Sequence, residues 1–323
     1  MQNPGPGGAR ARVAVVVLNW NGWRDTAACL ASLRKLDLPP RVIVVDNGST
    51  DGSGDHIRAE ASWARLVLLP TNRGFGGGMN AGIAAALSQA PSVDYVWILN
   101  NDTLVEPATL SRMVALADSH SRVGIVGSRL VDADGSGRIQ AIGGATINRW
   151  LGTTSTRLKP SSTAYDYLCG ASLLVRRELL SQVGGFDERY FFYLEDTDLS
   201  LRARRAGWRL AVAEDAIVIH RGGASISGSS SRSLRSDISM ARSSAIFVSS
   251  LGLPWRITAI PLRLAGMLTN RLARSQADRL LPISRAYLEG LRIGRCSPRI
   301  PIFDDAQEAT PVASVEQGHT GRR

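Results

Sequence analysis

Four apolar runs constrain this chain more than any other feature. VAVVVL (13–18), RVIVVD (41–46), RLVLLP (65–70) and YVWILN (95–100) are apolar, VAVVVL being a continuous β-branched run, and each gives way to polar residues. Apolar runs without alternation are what strands buried on both faces require. Between them, TAACLASLRKL and NRGFGGGMNAGIAAALSQA read as a helix and as a glycine-rich loop entering an alanine-rich helix. Strands alternating with helices predict an α/β fold with a mostly parallel sheet and right-handed crossovers. Ligands bind such sheets beyond the carboxyl ends of the strands. Polar residues collect there: Asn19, then Asp46-Asn47, then Asn72-Arg73, then Asn100-Asn101-Asp102. Four strand ends supplying amides, acids and an Arg predict one shared site.

After residue 120 the pattern loosens. A turn is expected at Asp134-Gly135, a strand at 171–175, and a short helix closed by Gly184-Gly185. A strand AIVIH ends at His220. GGASISGSSSRSLRS is poor in apolar residues and is expected to be mobile. Residues 240–295 read as helical, interrupted by Pro254, Pro261 and Pro282, and the two termini read as disordered tails.

The 323 residues are ample for a sizeable core. Cys29, Cys169 and Cys296 are widely spaced and lack a CxxC pattern, which fits a reducing cytosol rather than a disulfide framework. No signal peptide or membrane-spanning helix is expected. The net charge of +10 is uneven: residues 221–300 hold 13 Arg against Asp237, Asp278 and Glu289. Such a segment faces an acidic partner or water. Nucleic acid is not the expected partner, because residues 261–300 interleave only one aromatic, Tyr287.

Several motifs carry chemistry, each beside a plainer explanation. Acids and amides closing WILNND suit a hard cation, Mg2+ or Mn2+, or simply close a strand. Asp46 in VDNGSTDGS can accept a pyrimidine N–H, or begin an Asx-turn with Asn47. NRGFGGGMNAG can cradle phosphate or allow close helix packing. Met79 breaks GxGxxG, which argues against a nicotinamide oxidoreductase. His220 can ligate a metal or serve the structure alone. In YLEDTDLSLR, Glu195, Asp196 and Asp198 suit the first turn of a helix, and Asp198 and Arg202 stand at i,i+4.

Taken in order, VVVLNWNG, VIVVDNGSTDGS, NRGFGGGMNAG, WILNNDTLVEP, CGASLLVRRELLSQVGGFDERYFFYLEDTDLSLRARRAGW and AIVIHRGG resemble bacterial family 2 glycosyltransferases, in particular their rhamnosyltransferase-like branch. The resemblance covers residues 13 to about 225. It implies a GT-A fold, a nucleotide-sugar donor (a dTDP- or UDP-sugar), a divalent metal and inverting displacement. It divides the chain into a nucleotide-sugar-binding half (13–120), an acceptor and catalytic half (121–225), a basic helical region (226–300) and tails at 1–12 and 301–323.

By position, the resemblance places Asn19, Asp46, Asn47, Arg73, Gly74, Asn101 and Glu195 against substrate. It makes Asp102 and His220 the metal ligands and Asp196 the general base. Asn100 stands where many members carry Asp, one charge fewer. The implied activity is L-rhamnosyl transfer from dTDP-L-rhamnose to a glycan or polyprenyl-linked acceptor in cell-envelope polysaccharide synthesis. The implied location is the cytoplasm, peripheral on the inner face of the plasma membrane. There Arg263, Arg271 and Arg274 on one side of a helix would meet anionic lipid, or face water from a helix packed on the catalytic domain. The alternative class is a non-catalytic nucleotide-sugar-binding or membrane scaffold, which would not need Asp196.

Overall fold

The computed structural model describes residues 12–89, 91–160, 162–221 and 233–303. Residues 1–11 and 304–323 of the expected tails and most of the serine-rich segment lie outside them. Arg12, however, pairs with Asp94 and Asp118, and Pro301 and Phe303 pack on the domain, so the fold reaches into both expected tails. The first half runs β1 (Val13–Asn19), α1 (Trp23–Leu33), β2 (Arg41–Asp46), α2 (Ser53–Glu60), β3 (Arg65–Leu68), α3 (Gly74–Leu87), β4 (Tyr95–Asn100), β5 (Thr103–Val105) and α4 (Thr109–Ser119). The second half opens with the hairpin β6 (Val123–Asp132) and β7 (Ile139–Ile142), turning at Asp134-Gly135 as expected. Four two-residue strands follow: β8 (Gly144–Ala145), β9 (Ile147–Asn148), β10 (Thr153–Thr154) and β11 (Tyr167–Leu168). Then come β12 (Ser172–Arg176), α5 (Arg177–Val183), α6 (Glu195–Arg205) and β13 (Arg209–His220). Helices α7 (Leu234–Ser250), α8 (Trp255–Leu272) and α9 (Leu280–Gly294) complete the described chain.

The main sheet has the order β3-β2-β1-β4-β12-β6-β13-β5, with β7 beside β6. β1 to β4, β6 and β13 run one way; β5, β7 and β12 run the other. The runs of β1, β2 and β4 are buried on both faces, whereas β3, at the sheet edge, is partly exposed. Val13, Val15 and Val17 pack towards Leu30 of α1 and Met113 of α4, while Ala14 and Val16 pack towards Met79 and Ile83 of α3. Successive strand residues point to opposite faces, so a double-sided core needs an unbroken apolar sequence.

Two local expectations change. The glycine-rich stretch is helix rather than loop: α3 begins at Gly74. A Cβ on Gly78 would stand 2.5 Å from Leu18, and one on Gly82 would stand 2.2 Å from Val16. These glycines let α3 lie close against the sheet. In the carboxy-terminal region Pro254 separates α7 from α8, but Pro261 lies within α8 and Pro282 within α9. The break between α8 and α9 falls instead around Ser275, which has a positive φ of 55°.

The Arg-rich face proposed for α8 is also redrawn. Arg271 is buried and ion-paired to the buried Asp237 of α7, which Arg279 also reaches. Arg263 donates to Ser244. Two of the three arginines therefore point into the protein, and a third apolar cluster joins α7, α8 and α9 to Tyr190 and Leu201. No helix among the described residues is long and apolar enough to cross a membrane. Cys29, Cys169 and Cys296 are free.

Candidate active site

The strand ends meet through a hydrogen-bonded net. Asn19 Nδ2 donates to Asp46 Oδ1 (2.8 Å), and Thr26 Oγ1 donates to Asn19 Oδ1 (2.8 Å). Asn101 Nδ2 donates in turn to Thr26 (3.1 Å), so the first, second and fourth strand ends share one chain of bonds. Ser49 also donates to Asp46. Both bonds land on Oδ1; Oδ2 accepts none among the described residues. Asp46 thus presents a constrained carboxylate with one open edge.

Asn47 locks the third strand end. Its Nδ2 donates to Asn72 Oδ1 and to the Gly74 carbonyl (3.0 Å each), and its Oδ1 accepts the Arg73 N–H (2.9 Å). Gly74 has a φ of 74°, and a Cβ there would stand 2.3 Å from the Phe191 carbonyl oxygen. Only glycine fits such a left-handed position pressed against backbone. Phe75 N–H donates to that same carbonyl (2.8 Å), which ties the start of α3 to the loop before α6. Arg73 itself is half-exposed and pairs with Glu188 (3.0 Å).

At the end of β13, His220 Nε2 lies 3.3 Å from Asp102 Oδ1. Its Nδ1 lies 2.9 Å from Gln140 Oε1. Gln140 Nε2 is committed to Asp132 and the His220 carbonyl, so Oε1 must accept. Nδ1 therefore carries a proton, and Nε2 is the ring nitrogen that faces Asp102. Asn100 Nδ2 lies 3.5 Å from the same nitrogen, and Asn100 Oδ1 is buried with no partner among the described residues. An imidazole nitrogen and a carboxylate side by side, with a buried amide whose oxygen is unsatisfied next to them, suit a divalent cation. Among the described residues, however, no group of three or more His, Cys, Asp or Glu forms a complete metal site.

The three acids now differ in environment. Asp198 accepts from Arg202 Nε (2.7 Å), the expected i,i+4 pair. Asp196 Oδ2 accepts the Gly170 N–H (2.8 Å), and its Oδ1 accepts the Thr197 N–H (2.6 Å). Gly170 precedes Ala171, whose carbonyl accepts the Asn100 N–H (3.0 Å), so Asp196 is two residues of backbone from the fourth strand end. Burial raises the pKa of Asp196 against the lowering effect of those N–H groups.

Glu195 is buried, and its Oε2 has no partner among the described residues. Burial, and then the charge of Asp196, push its pKa up to about 8. Just before α6, Tyr193 and Leu194 both hold positive φ (76° and 68°). Consecutive non-glycine residues there cost about 1–3 kcal/mol each. Bonds from Ser243 to the Phe192 carbonyl and from Asp198 N–H to the Leu194 carbonyl hold the loop.

A folded-state pKa above the unfolded value means that ionising Glu195 destabilises the fold. That penalty is absent below the ordinary carboxylate range, grows as pH rises, and is complete above about 8. Glu195→Gln is therefore expected to match wild type in melting temperature near pH 4 and exceed it above pH 8. Parallel melting curves across that range would contradict the burial of this carboxylate.

Ser49, Thr26, Gln140, Asp132 and Gly170 join the site without having been expected there. Ser49 had a signal, since it lies inside DNGSTDGS. Gln140 had none: it stands 80 residues from His220 and meets it only through the pairing of β6 with β7 and β13.

A sequence model described as glycosyl transferase family 2 matches residues 14–184. The N-acetylglucosaminyl-diphospho-decaprenol L-rhamnosyltransferase of Mycobacterium tuberculosis is 34% identical over 231 residues, 64% of this chain and 75% of that protein. Pre-mycofactocin glycosyltransferase from the same organism is 29% identical over 67% of this chain and 44% of its own length. The mannosyltransferase PcManGT from Pyrobaculum calidifontis, solved with GDP-Man and Mn2+, superposes with a TM-score of 0.53 at 20% identity, over 86% of this chain and 74% of its own. S. aureus TarS 1-349 with UDP-GlcNAc gives 0.54 at 18%, over 87% and 82%. The mixed sheet with polar strand ends is thus a GT-A glycosyltransferase fold. The chain belongs to glycosyl transferase family 2.

Proposed function

We propose that the chain is an inverting glycosyltransferase that moves L-rhamnose from dTDP-L-rhamnose to a glycan or polyprenyl-linked acceptor, at the inner face of the plasma membrane, in cell-envelope polysaccharide synthesis. The observation that carries the proposal is the placement of Asp196. Its carboxylate is aimed by two backbone N–H groups and is backbone-linked to the strand ends that would hold the donor. The 34% identity to a mycobacterial L-rhamnosyltransferase supports the choice of sugar.

In this mechanism the open edge of Asp46 accepts the imide N–H of the pyrimidine. Arg73 exchanges its partner Glu188, which Asn80 Nδ2 continues to hold, for diphosphate oxygens. Asp196 takes the proton from the acceptor hydroxyl. The freed oxygen pair bonds to the anomeric carbon, and the carbon–oxygen bond to the diphosphate breaks from the opposite face. Mg2+ or Mn2+, when held by Asp102 and His220 with Asn100, supplies positive charge to the leaving diphosphate. Gln140 orients His220 for that.

Asp102→Ala is expected to weaken metal-dependent donor binding by at least about tenfold. Calorimetry with and without Mn2+ checks this, and equal affinity for both proteins would contradict the ligand role. The function itself is tested by a panel of nucleotide sugars with Mg2+ or Mn2+, read as nucleotide release. Turnover is expected with dTDP-L-rhamnose. Neither turnover nor binding with any donor would favour the scaffold alternative.

A further inference from the structure

Arg263 and Arg271 of α8 turn inward, and apolar residues line much of its outer face beside the exposed Arg256. Leu253 and Ile257, flanking the start of α8, are 64% and 68% exposed. The β9–β10 hairpin brings Trp150 (53% exposed) to the same corner. Trp150 meets Trp255 edge to face at 6.5 Å, and a Cβ on Gly152 would touch Val248 and Ala259, so hairpin and helices form one packed unit. Soluble surfaces rarely gather large apolar side chains in this way.

The corner is also basic. A cavity of about 370 Å3 is lined by Arg149, Arg204, Arg205, Leu251 and Trp255. Arg149 stacks over Trp255 at 5.3 Å, and Arg204 pairs with Asp166. Arg205 and Arg256 are exposed and have no carboxylate partner among the described residues. Apolar and tryptophan side chains ringed by unpaired arginines match the boundary of an anionic bilayer: the indoles and aliphatic chains enter the headgroup layer, and the guanidinium groups meet lipid phosphates.

We propose that the corner formed by Trp150, Leu253 and Ile257 with Arg149, Arg205 and Arg256 docks the protein on an anionic lipid bilayer. The surface differs from the arginine stripe expected on α8 and deepens the proposed function, on which its use for a lipid-linked acceptor rests. Arg205 follows Asp196 by nine residues of α6, about 14 Å along the helix axis at the usual rise. Docking there brings lipid headgroups within reach of the candidate base.

The test is co-sedimentation of the full chain with vesicles of pure phosphatidylcholine and with vesicles of phosphatidylcholine and phosphatidylglycerol in equal parts. Wild type is expected to bind the anionic vesicles and not the neutral ones. Trp150→Ala with Ile257→Ser, and separately Arg149→Gln with Arg205→Gln, are each expected to weaken that binding about tenfold or more. Both variants should stay folded, with cooperative melting only slightly below wild type, and keep wild-type nucleotide affinity. Failure of wild type to bind overturns the proposal. So does an unchanged apolar double variant, which would mark the arginines as a site for a soluble polyanion. Vesicle binding without sugar transfer would leave the surface standing and remove the enzymatic reading, and transfer without vesicle binding would do the reverse.

Discussion

Asp196→Asn is expected to bind donor nucleotide as tightly as wild type and to transfer sugar about 10²–10⁴-fold more slowly, the usual contribution of a positioned acid or base. Asparagine keeps the size and one acceptor oxygen, so the Gly170 or the Thr197 N–H can still be satisfied. What it lacks is the capacity to take a proton. The groups proposed to face the donor, Asn19, Asp46 and Asn47, are linked to one another by hydrogen bonds and not to Asp196, so binding should survive. Calorimetry for affinity and nucleotide release for turnover separate the two effects. Transfer at near the wild-type rate would remove Asp196 from the mechanism.

The second large effect concerns stability. Asp237→Ala is expected to destabilise the chain by about 3–5 kcal/mol, the cost of removing one partner from a buried ion pair. Asp237 is 3% exposed and receives both Arg271 and Arg279. Its loss leaves two guanidinium groups facing each other at the junction of α7 with α8 and the turn before α9. Denaturant titration checks this. A change below about 1 kcal/mol would place the pair among exposed ones and return Arg271 to the outer face of α8.

The half of the fold that was legible in sequence is the half whose physics is local. Strands buried on both faces need unbroken β-branched runs, and VAVVVL and RVIVVD supply them. Their polar ends marked the site because strand ends in a parallel sheet converge. The Asp198–Arg202 pair followed from helical spacing alone. Long-range pairing decided the rest. Glycines 76–78 are poor helix formers, yet the close approach of α3 to the sheet makes them helical. Arg271 reads as a surface residue until Asp237, 34 positions away, pulls it inward. Pro261 sits inside α8 on an exposed part of its surface, although its ring leaves the Ile257 carbonyl without its helical bond. Gln140 and Asp132 behind His220 needed the sheet to bring them there.

The central claim is a single displacement driven by one base, and the anomeric configuration of the product tests it most directly. With dTDP-L-rhamnose as donor, proton NMR of the product is expected to show the configuration inverted at the anomeric carbon. Retention at that carbon would contradict the account, because one attack from the face opposite the leaving diphosphate cannot produce it.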